Sequence, residues 1–318
     1  MRALITGIAG FAGSYLAGDL VSAGWEVAGV ERAGVSLKNL EDIAGRVRVM
    51  ECDILLHRDL ERIVREINPD VIFHLAAVTF VPSAENAPQI AFEVNVKGSL
   101  NVLEACRKEA PGAGVVLVSS AEVYGRVSPE DMPLTEERKT APVNIYALTK
   151  LLSEQIAFFY ARAYGFNIVI LRPFNHIGPR QSPSFVTSAF AKQIAEIEAG
   201  NMEPVMEVGN LEAERDFTDV RDVVRAYRLA AERGVPARVY NICSGRACVI
   251  RKILDGLLEL SGAVIEVRQD PKRLRKSEVP VRLGDYSRFK EATGWTPEYD
   301  IDSTLRDILD YWREQLKA

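Results

Sequence analysis

ALITGIAGFAG, residues 3–13, decides how this chain is read. Ala3, Leu4 and Ile5 run into Thr6 and then into Gly7, Gly10 and Gly13, where the helical pattern of 11–23 begins. An apolar run that stops at glycine and restarts at helical spacing is a strand-turn-helix unit. Each glycine has its own physical role there. Gly7 permits a tight turn. Gly10 lets the backbone approach a pyrophosphate, whose charge the helix N-terminus favours. Gly13 lets the helix pack closely on the strand. The spacing G-x-x-G-x-x-G, with Phe11 and Ala12 inside it, predicts a dinucleotide site at this first junction.

The same alternation continues outward. Apolar, β-branched runs at 26–30, 47–51, 71–74, 115–119 and 167–171 predict strands, and 91–108 and 144–164 read as helices. Solid apolar strands between helices imply an α/β chain with a parallel sheet covered on both faces. The pattern weakens after Pro173, where Pro179, Pro183, Pro204, Pro236, Pro271, Pro280 and Pro297 separate shorter elements. That predicts a smaller mixed α/β lobe over the carboxyl edge of the sheet, where open sheets bind ligands. The expected division is 1–172 for the nucleotide-binding domain and 173–318 mainly for a substrate lobe, with segments near 210–245 able to return to the first domain.

Composition narrows the partners. A net charge of −5 gives no reason for a nucleic-acid or anionic-membrane partner. No apolar stretch reaches membrane-spanning length. The chain enters a strand at once, which leaves no room for a signal peptide. Cys52, Cys106, Cys243 and Cys248 lack metal-type spacing, and no His-Cys cluster accompanies them. A cytoplasmic protein with reduced thiols and no metal is the expectation.

Glu31 ends the second strand, where an acid can accept hydrogen bonds from ribose hydroxyls and repel a 2′-phosphate. Arg32 follows and would attract that phosphate. The pair leaves NAD against NADP open, with a lean toward NAD. Asp53, after the third strand, can cap an adenine edge. After the fourth come His74, Leu75, Ala76 and Ala77, where small side chains let a cofactor lie against the backbone. In YALTK, Tyr146 and Lys150 stand four apart and share a helix face. An ammonium beside a phenol lowers the tyrosine pKa, and such a tyrosine can exchange a proton with a carbonyl oxygen. Ser120, in SSAEVYG (119–125), supplies a hydroxyl for the same oxygen. His57 and His74 read as structural, and His176 as a wall of the pocket.

With these motifs in place the chain resembles, nearly end to end, the extended short-chain dehydrogenase/reductase family in its nucleotide-sugar branch. TGIAGFAG (6–13), HLAA (74–77), NVKGSLNVLEA (95–105), SSAEVYG, YALTK and LRPFNHIGPRQ (171–181) all fit. The resemblance implies a Rossmann-type doubly wound parallel sheet and a Ser120-Tyr146-Lys150 triad. It also implies that Gly7, Gly10, Phe11, Gly13, Asp53, Ile54, Ala76, Tyr146, Lys150 and Pro173 surround NAD(P)H. Asn95 matches the family's buried asparagine beside the site. A homodimer pairing long helices of the nucleotide domain is a further implication.

Residues 172–194 and 208–227 are similar to the GDP-mannose branch, more to GDP-4-keto-6-deoxy-mannose reductases than to GDP-mannose 4,6-dehydratases. By this resemblance Asn175, Phe185, Val186 and Lys192 line a GDP-sugar site, with Thr79 beside them. Arg215 and Arg275 would face the diphosphate, which guanidinium forks suit. Glu278 would hold a sugar or ribose hydroxyl. Without the resemblance, Arg215 is equally a salt-bridge partner of Glu214 or Asp216.

Glu122 is the ambiguous residue. In the dehydratases a glutamate two positions after the site hydroxyl moves protons at C5 and C6, and Ser120 with Glu122 fits that spacing. The rest departs from the dehydratase pattern, with Glu31-Arg32 in place of two arginines and Phe174-Asn175-His176-Ile177-Gly178-Pro179 in place of F-N-H-E-S-P. The expectation is therefore C4 reduction to GDP-rhamnose or its C4 epimer, with Glu122 structural. A 4,6-dehydratase using Glu122, or another nucleotide-sugar epimerase or dehydratase, is the rival, and a cofactor-sensing scaffold a more distant one.

Overall fold

The computed structural model describes residues 1–271 and 279–317. Six strands of the first half are β1 (Arg2–Thr6), β2 (Glu26–Glu31), β3 (Val47–Glu51), β4 (Val71–His74), β5 (Gly114–Val118) and β6 (Ile168–Pro173). Their helices are α1 (Phe11–Ser22), α2 (His57–Ile67), α3 (Val81–Asn86), α4 (Pro88–Phe92), α5 (Gly98–Glu109) and α6 (Ile145–Tyr164). The second half adds the strands β7 (Asn175–Ile177), β8 (Val205–Val208), β9 (Glu214–Asp219), β10 (Val239–Ile242), β11 (Ala247–Val249), β12 (Glu266–Gln269) and β13 (Val281–Arg282). It also adds α7 (Val186–Glu198), α8 (Val220–Arg233), α9 (Ile250–Ser261), α10 (Ser287–Thr293) and α11 (Ile301–Gln315).

The main sheet has seven strands in the order β10-β6-β5-β4-β1-β2-β3, all paired in parallel. Side-chain alternation explains why its strands read as solid apolar runs. Ala3, Ile5, Phe73, Val116 and Leu171 enter the core under α1, α8 and α10. Leu4, Ile72, Val115, Leu117 and Ile170 enter the opposite core under α2, α5 and α6. Both faces are buried, so successive residues must both be apolar. The strand order reverses between β1 and β4, which puts the topological switch point at their carboxyl ends.

The seventh strand, β10, comes from beyond residue 173 and pairs with β6, and α8 packs on α1. The remaining late elements form a second core around α7, α9 and α11. There β9 pairs with β7, β11 and β13, and β8 with β12. Among the described residues no helix is long and apolar enough to cross a membrane.

Candidate active site

A cavity of about 1340 Å³ opens at the switch point between the sheet and the second core. That exceeds the usual range for one small ligand, roughly 300–1,000 Å³, and leaves space for two. At its floor Gly7 has φ +74°, and a Cβ there would stand 3.1 Å from the Ala76 backbone. A Cβ on Gly13 would come within 2.1 Å of the Gly7 carbonyl oxygen, so only glycine lets α1 start this close to the turn. Gly10 caps α1 with extended backbone. Thr6 Oγ1 accepts from the Leu75 and Ala76 amides, both at 3.2 Å, fixing the two β-ends against each other. Gly7, Gly10, Phe11, Ala12, Gly13, Asp53, Ile54, Leu75, Ala76, Ala77 and Pro173 all line the cavity.

Glu31 lies at the same end. Its carboxylate accepts from the Ala9 amide at 3.3 Å and from the Arg32 amide at 3.2 Å, while Arg32 is exposed at the rim. Asp53 Oδ1 accepts from the Leu55 amide at 2.9 Å. Tyr227, on α8, was not singled out by sequence because it reads as a core residue of an amphipathic helix. It is fully buried, lines the cavity, and its hydroxyl has no hydrogen-bond partner among the described residues. A cradle that a Cβ would fill and an orphaned donor on the wall fit a dinucleotide.

The proposed catalytic side chains converge above this floor. Ser120 ends the run from β5. It accepts from the Glu122 amide at 3.1 Å, and its hydroxyl stands where it favours the Tyr146 phenolate. Tyr146 and Lys150 lie on the buried stripe of α6 with Thr149, Ser153, Glu154 and Ala157. Asn144 caps that helix, its side chain accepting from the Ala147 amide at 2.7 Å. Asn95 lies in a π-helical turn, Glu93–Lys97, and is nearly fully buried. Its amide bonds Val78 N at 2.7 Å, Val78 O at 3.1 Å and Thr149 Oγ1 at 2.9 Å, tying α6 to the cavity wall.

One electrostatic expectation is corrected. Lys150 does not draw Tyr146 down: its Nζ donates to the Val118 carbonyl at 2.7 Å. Burial pushes Tyr146 up to about 12, opposed by the Ser120 hydrogen bond and helped by the Glu122 charge. Burial brings Lys150 down to about 8, opposed by the Glu154 carboxylate. Desolvation favours the neutral form of each and is the largest cause for both. His74 is held neutral, down to about 3, by burial and by the Lys150 charge. It bridges Thr6 Oγ1 at 2.8 Å and Ser99 Oγ at 2.9 Å, a structural role.

Thr79, Asn175, Phe185, Val186 and Arg215 line the cavity. Phe185 meets Phe80 edge-on at 5.7 Å, and His176 stacks on Phe11 at 5.7 Å as part of the wall. Arg215 donates to the Glu214 carbonyl at 2.8 Å, whereas Asp216 bonds Ser244 and Gly245. Lys192 does not line the cavity. It pairs with Glu196 at 3.5 Å and lies over the Trp312 ring at 5.5 Å. Six residues after Val186 it has turned roughly 240° around α7, away from the face that meets the pocket. Arg275 and Glu278 fall outside the described residues.

Glu122 lines the cavity too, but its carboxylate is engaged. One oxygen accepts from Arg282, on β13, and the other from Asn144 Nδ2 at 3.3 Å. Sequence reasoning missed Arg282, since nothing local links it to an acid 160 residues earlier.

The profile of the GDP-mannose 4,6 dehydratase family matches residues 4–308. The GDP-6-deoxy-D-mannose reductase of Pseudomonas aeruginosa is 34% identical over 99% of this chain and 98% of its own. The GDP-mannose 4,6-dehydratase of Yersinia enterocolitica is 29% identical over 97% and 92%. The structure of RMD from Pseudomonas aeruginosa complexed with NADPH superposes with a TM-score of 0.87 at 33% identity, covering 99% of both chains. The UDP-glucose 4-epimerase of Thermotoga maritima with UDP-glucose gives 0.90 at 30%, covering 99% of this chain and 100% of that one. A family profile spanning nearly the whole chain, a seven-stranded parallel sheet and a glycine turn at its switch point agree, and the chain belongs to the GDP-mannose 4,6 dehydratase family of NAD(P)-dependent, extended short-chain dehydrogenase/reductase enzymes.

Proposed function

We propose that this protein reduces the C4 ketone of GDP-4-keto-6-deoxy-mannose to GDP-rhamnose or its C4 epimer with NAD(P)H. The observation that carries the reading is the engagement of Glu122. An acid whose two oxygens accept from Arg282 and Asn144 is a poor candidate for the mobile proton carrier that dehydration requires. The full-length similarity to the Pseudomonas reductase supports the same choice.

The nicotinamide, when bound, supplies the hydride for C4. Tyr146, kept protonated by burial, gives its proton to the C4 oxygen, and Ser120 donates a hydrogen bond to the same oxygen. Lys150, near 8, stands one turn away to return that proton. Arg215, Asn175, Phe185 and Val186 hold the nucleotide sugar; Gly7 to Gly13, Asp53, Ile54 and Ala76 hold the dinucleotide. Glu31, at the ribose end, favours NADH over NADPH. Comparing turnover efficiencies with the two cofactors in Glu31→Ala checks that choice: relative NADPH use should rise. The chain works in the cytoplasm as a homodimer, with 1–172 and 173–318 as its two main parts.

A product assay tests the reaction. GDP-mannose alone should give no 4-keto sugar. GDP-4-keto-6-deoxy-mannose should consume one NAD(P)H per molecule, and in deuterated water the product should carry no solvent deuterium at C5. Conversion of GDP-mannose with C5 deuteration, abolished in Glu122→Gln, would replace reduction by dehydration.

A further inference from the structure

Arg282 ends β13 and reaches the turn Ala121–Tyr124 that carries Glu122. Its side chain is 6% exposed, against 29% for Glu122. One terminal nitrogen donates to Glu122 Oε1 and the other to the Gly125 carbonyl at 3.2 Å. Nε is buried without a partner among the described residues, and Arg282 lines the cavity. Arg282 is also the register partner of Arg215 on β9, so two guanidinium groups leave neighbouring strands at the same level. Like charges placed so need a counter-charge, and Glu122 is the carboxylate bonded to Arg282 there.

Two short paths lead from this guanidinium to the reacting hydroxyls. Glu122 donates its amide to Ser120 Oγ, the hydroxyl that acts on Tyr146. Glu122 Oε2 meets Asn144, which caps α6 two residues before Tyr146. A guanidinium fork fixes the direction of its partner as well as its distance. We propose that Arg282 is a positioning residue of this site: it engages the Glu122 carboxylate so that the acid takes no proton from substrate, and it holds the 121–124 turn against α6 so that Ser120 and Tyr146 face one oxygen.

This rests on the reduction proposed above. A C4 ketone makes the neighbouring C5 proton removable. A released Glu122 would take it: the C5–H bond breaks, its electron pair moves to the C4 oxygen as an enolate, and the proton sits on the carboxylate. Reprotonation from deuterated solvent then labels C5 with no net redox change.

The experiment uses the full-length enzyme with GDP-4-keto-6-deoxy-mannose in deuterated water, with and without NAD(P)H. Arg282→Met should lower kcat about tenfold or more with KM changed less than about threefold, because the loss falls on alignment rather than binding. It should also label C5 above the enzyme-free rate, and adding Glu122→Gln should remove that label. Arg282→Lys, which keeps one charge but cannot reach both partners, should lie between the two. If Arg282→Met does not fold, as circular dichroism would show, Arg282→Lys carries the test, and a lysine variant with wild-type kcat overturns the proposal. So does a folded Arg282→Met that keeps kcat and leaves C5 unlabelled, or one that raises KM alone. A wild-type enzyme that leaves the ketone unreduced, or labels C5 itself, refutes the reduction and not the Arg282 assignment alone.

Discussion

Tyr146 and Lys150 show how one cause moves two residues in opposite directions. Burial raises the phenol to about 12 and lowers the ammonium to about 8. The tyrosine therefore carries its proton throughout the neutral range, as a donor to a ketone oxygen must. Tyr146→Phe should fold normally and lose roughly 10²–10⁴ in turnover, because it deletes the acid but little volume. Lys150 loses its own proton as pH rises through about 8, so ketone reduction should fall above that pH. Lys150→Met should be slow, with that alkaline limb displaced upward; a kcat profile between neutral and alkaline pH reads both. Stability moves the other way. The folded pKa of Lys150 lies below its ordinary 10.5, so burying the charged form costs stability in full below about 8, and the cost fades as pH climbs toward 10.5. A melting series in which Lys150→Met is no more stable than wild type at neutral pH would contradict this.

Elements were legible where a repeating pattern enforces them. Both faces of the inner strands are buried, so β1, β4 and β5 announce themselves as apolar runs, whereas the edge strand β3 alternates with Arg48 and Glu51, and the three glycines announce α1. Gly13→Ala tests that reading. Its Cβ would meet the Gly7 carbonyl at 2.1 Å, so α1 must shift from the turn. Overpacking of this kind costs typically about 1–3 kcal/mol, and the shift should also weaken dinucleotide binding. A lower Tm and a weaker NADH fluorescence titration are expected; unchanged values of both would show that α1 does not need this close approach. Elements were illegible where contacts are long-range. β10 is four residues long and carries Asn241 inside it, bonded to Tyr124 and the Leu134 carbonyl, so it lacks a strand's apolar signature. Arg282 follows a basic stretch and meets its acid only in the folded chain. Lys192 shows the opposite case: its motif is local, but six residues of α7 carry it roughly 240° from Val186, onto Glu196 and the Trp312 ring.

At the scale of the whole molecule, α5 and α6 have inner faces in the core and outer faces that are not polar throughout. Leu100 is 38% exposed, Phe159 53% and Tyr164 52%. Phe159 and Tyr160 each lie within 5.9 Å of Tyr164 or one another, forming an aromatic patch on the last turns of α6. Monomeric proteins seldom leave clustered apolar rings in water, whereas a two-fold interface repeats one such patch on both partners. Two copies joined through α5 and α6 would bury these rings in a four-helix layer. The same helix carries Tyr146 and Lys150 at its other end, so anchoring it in such a pair would also steady the site. If α5 and α6 pair two copies, wild type should run as a dimer and Phe159→Glu with Tyr164→Glu as a monomer by light scattering at micromolar concentration. The wild-type Tm should rise with protein concentration, as mass action requires of a dimer, and the double variant's should not. A wild-type chain that runs as a monomer, with a Tm independent of concentration, would leave these rings as surface residues of a single subunit.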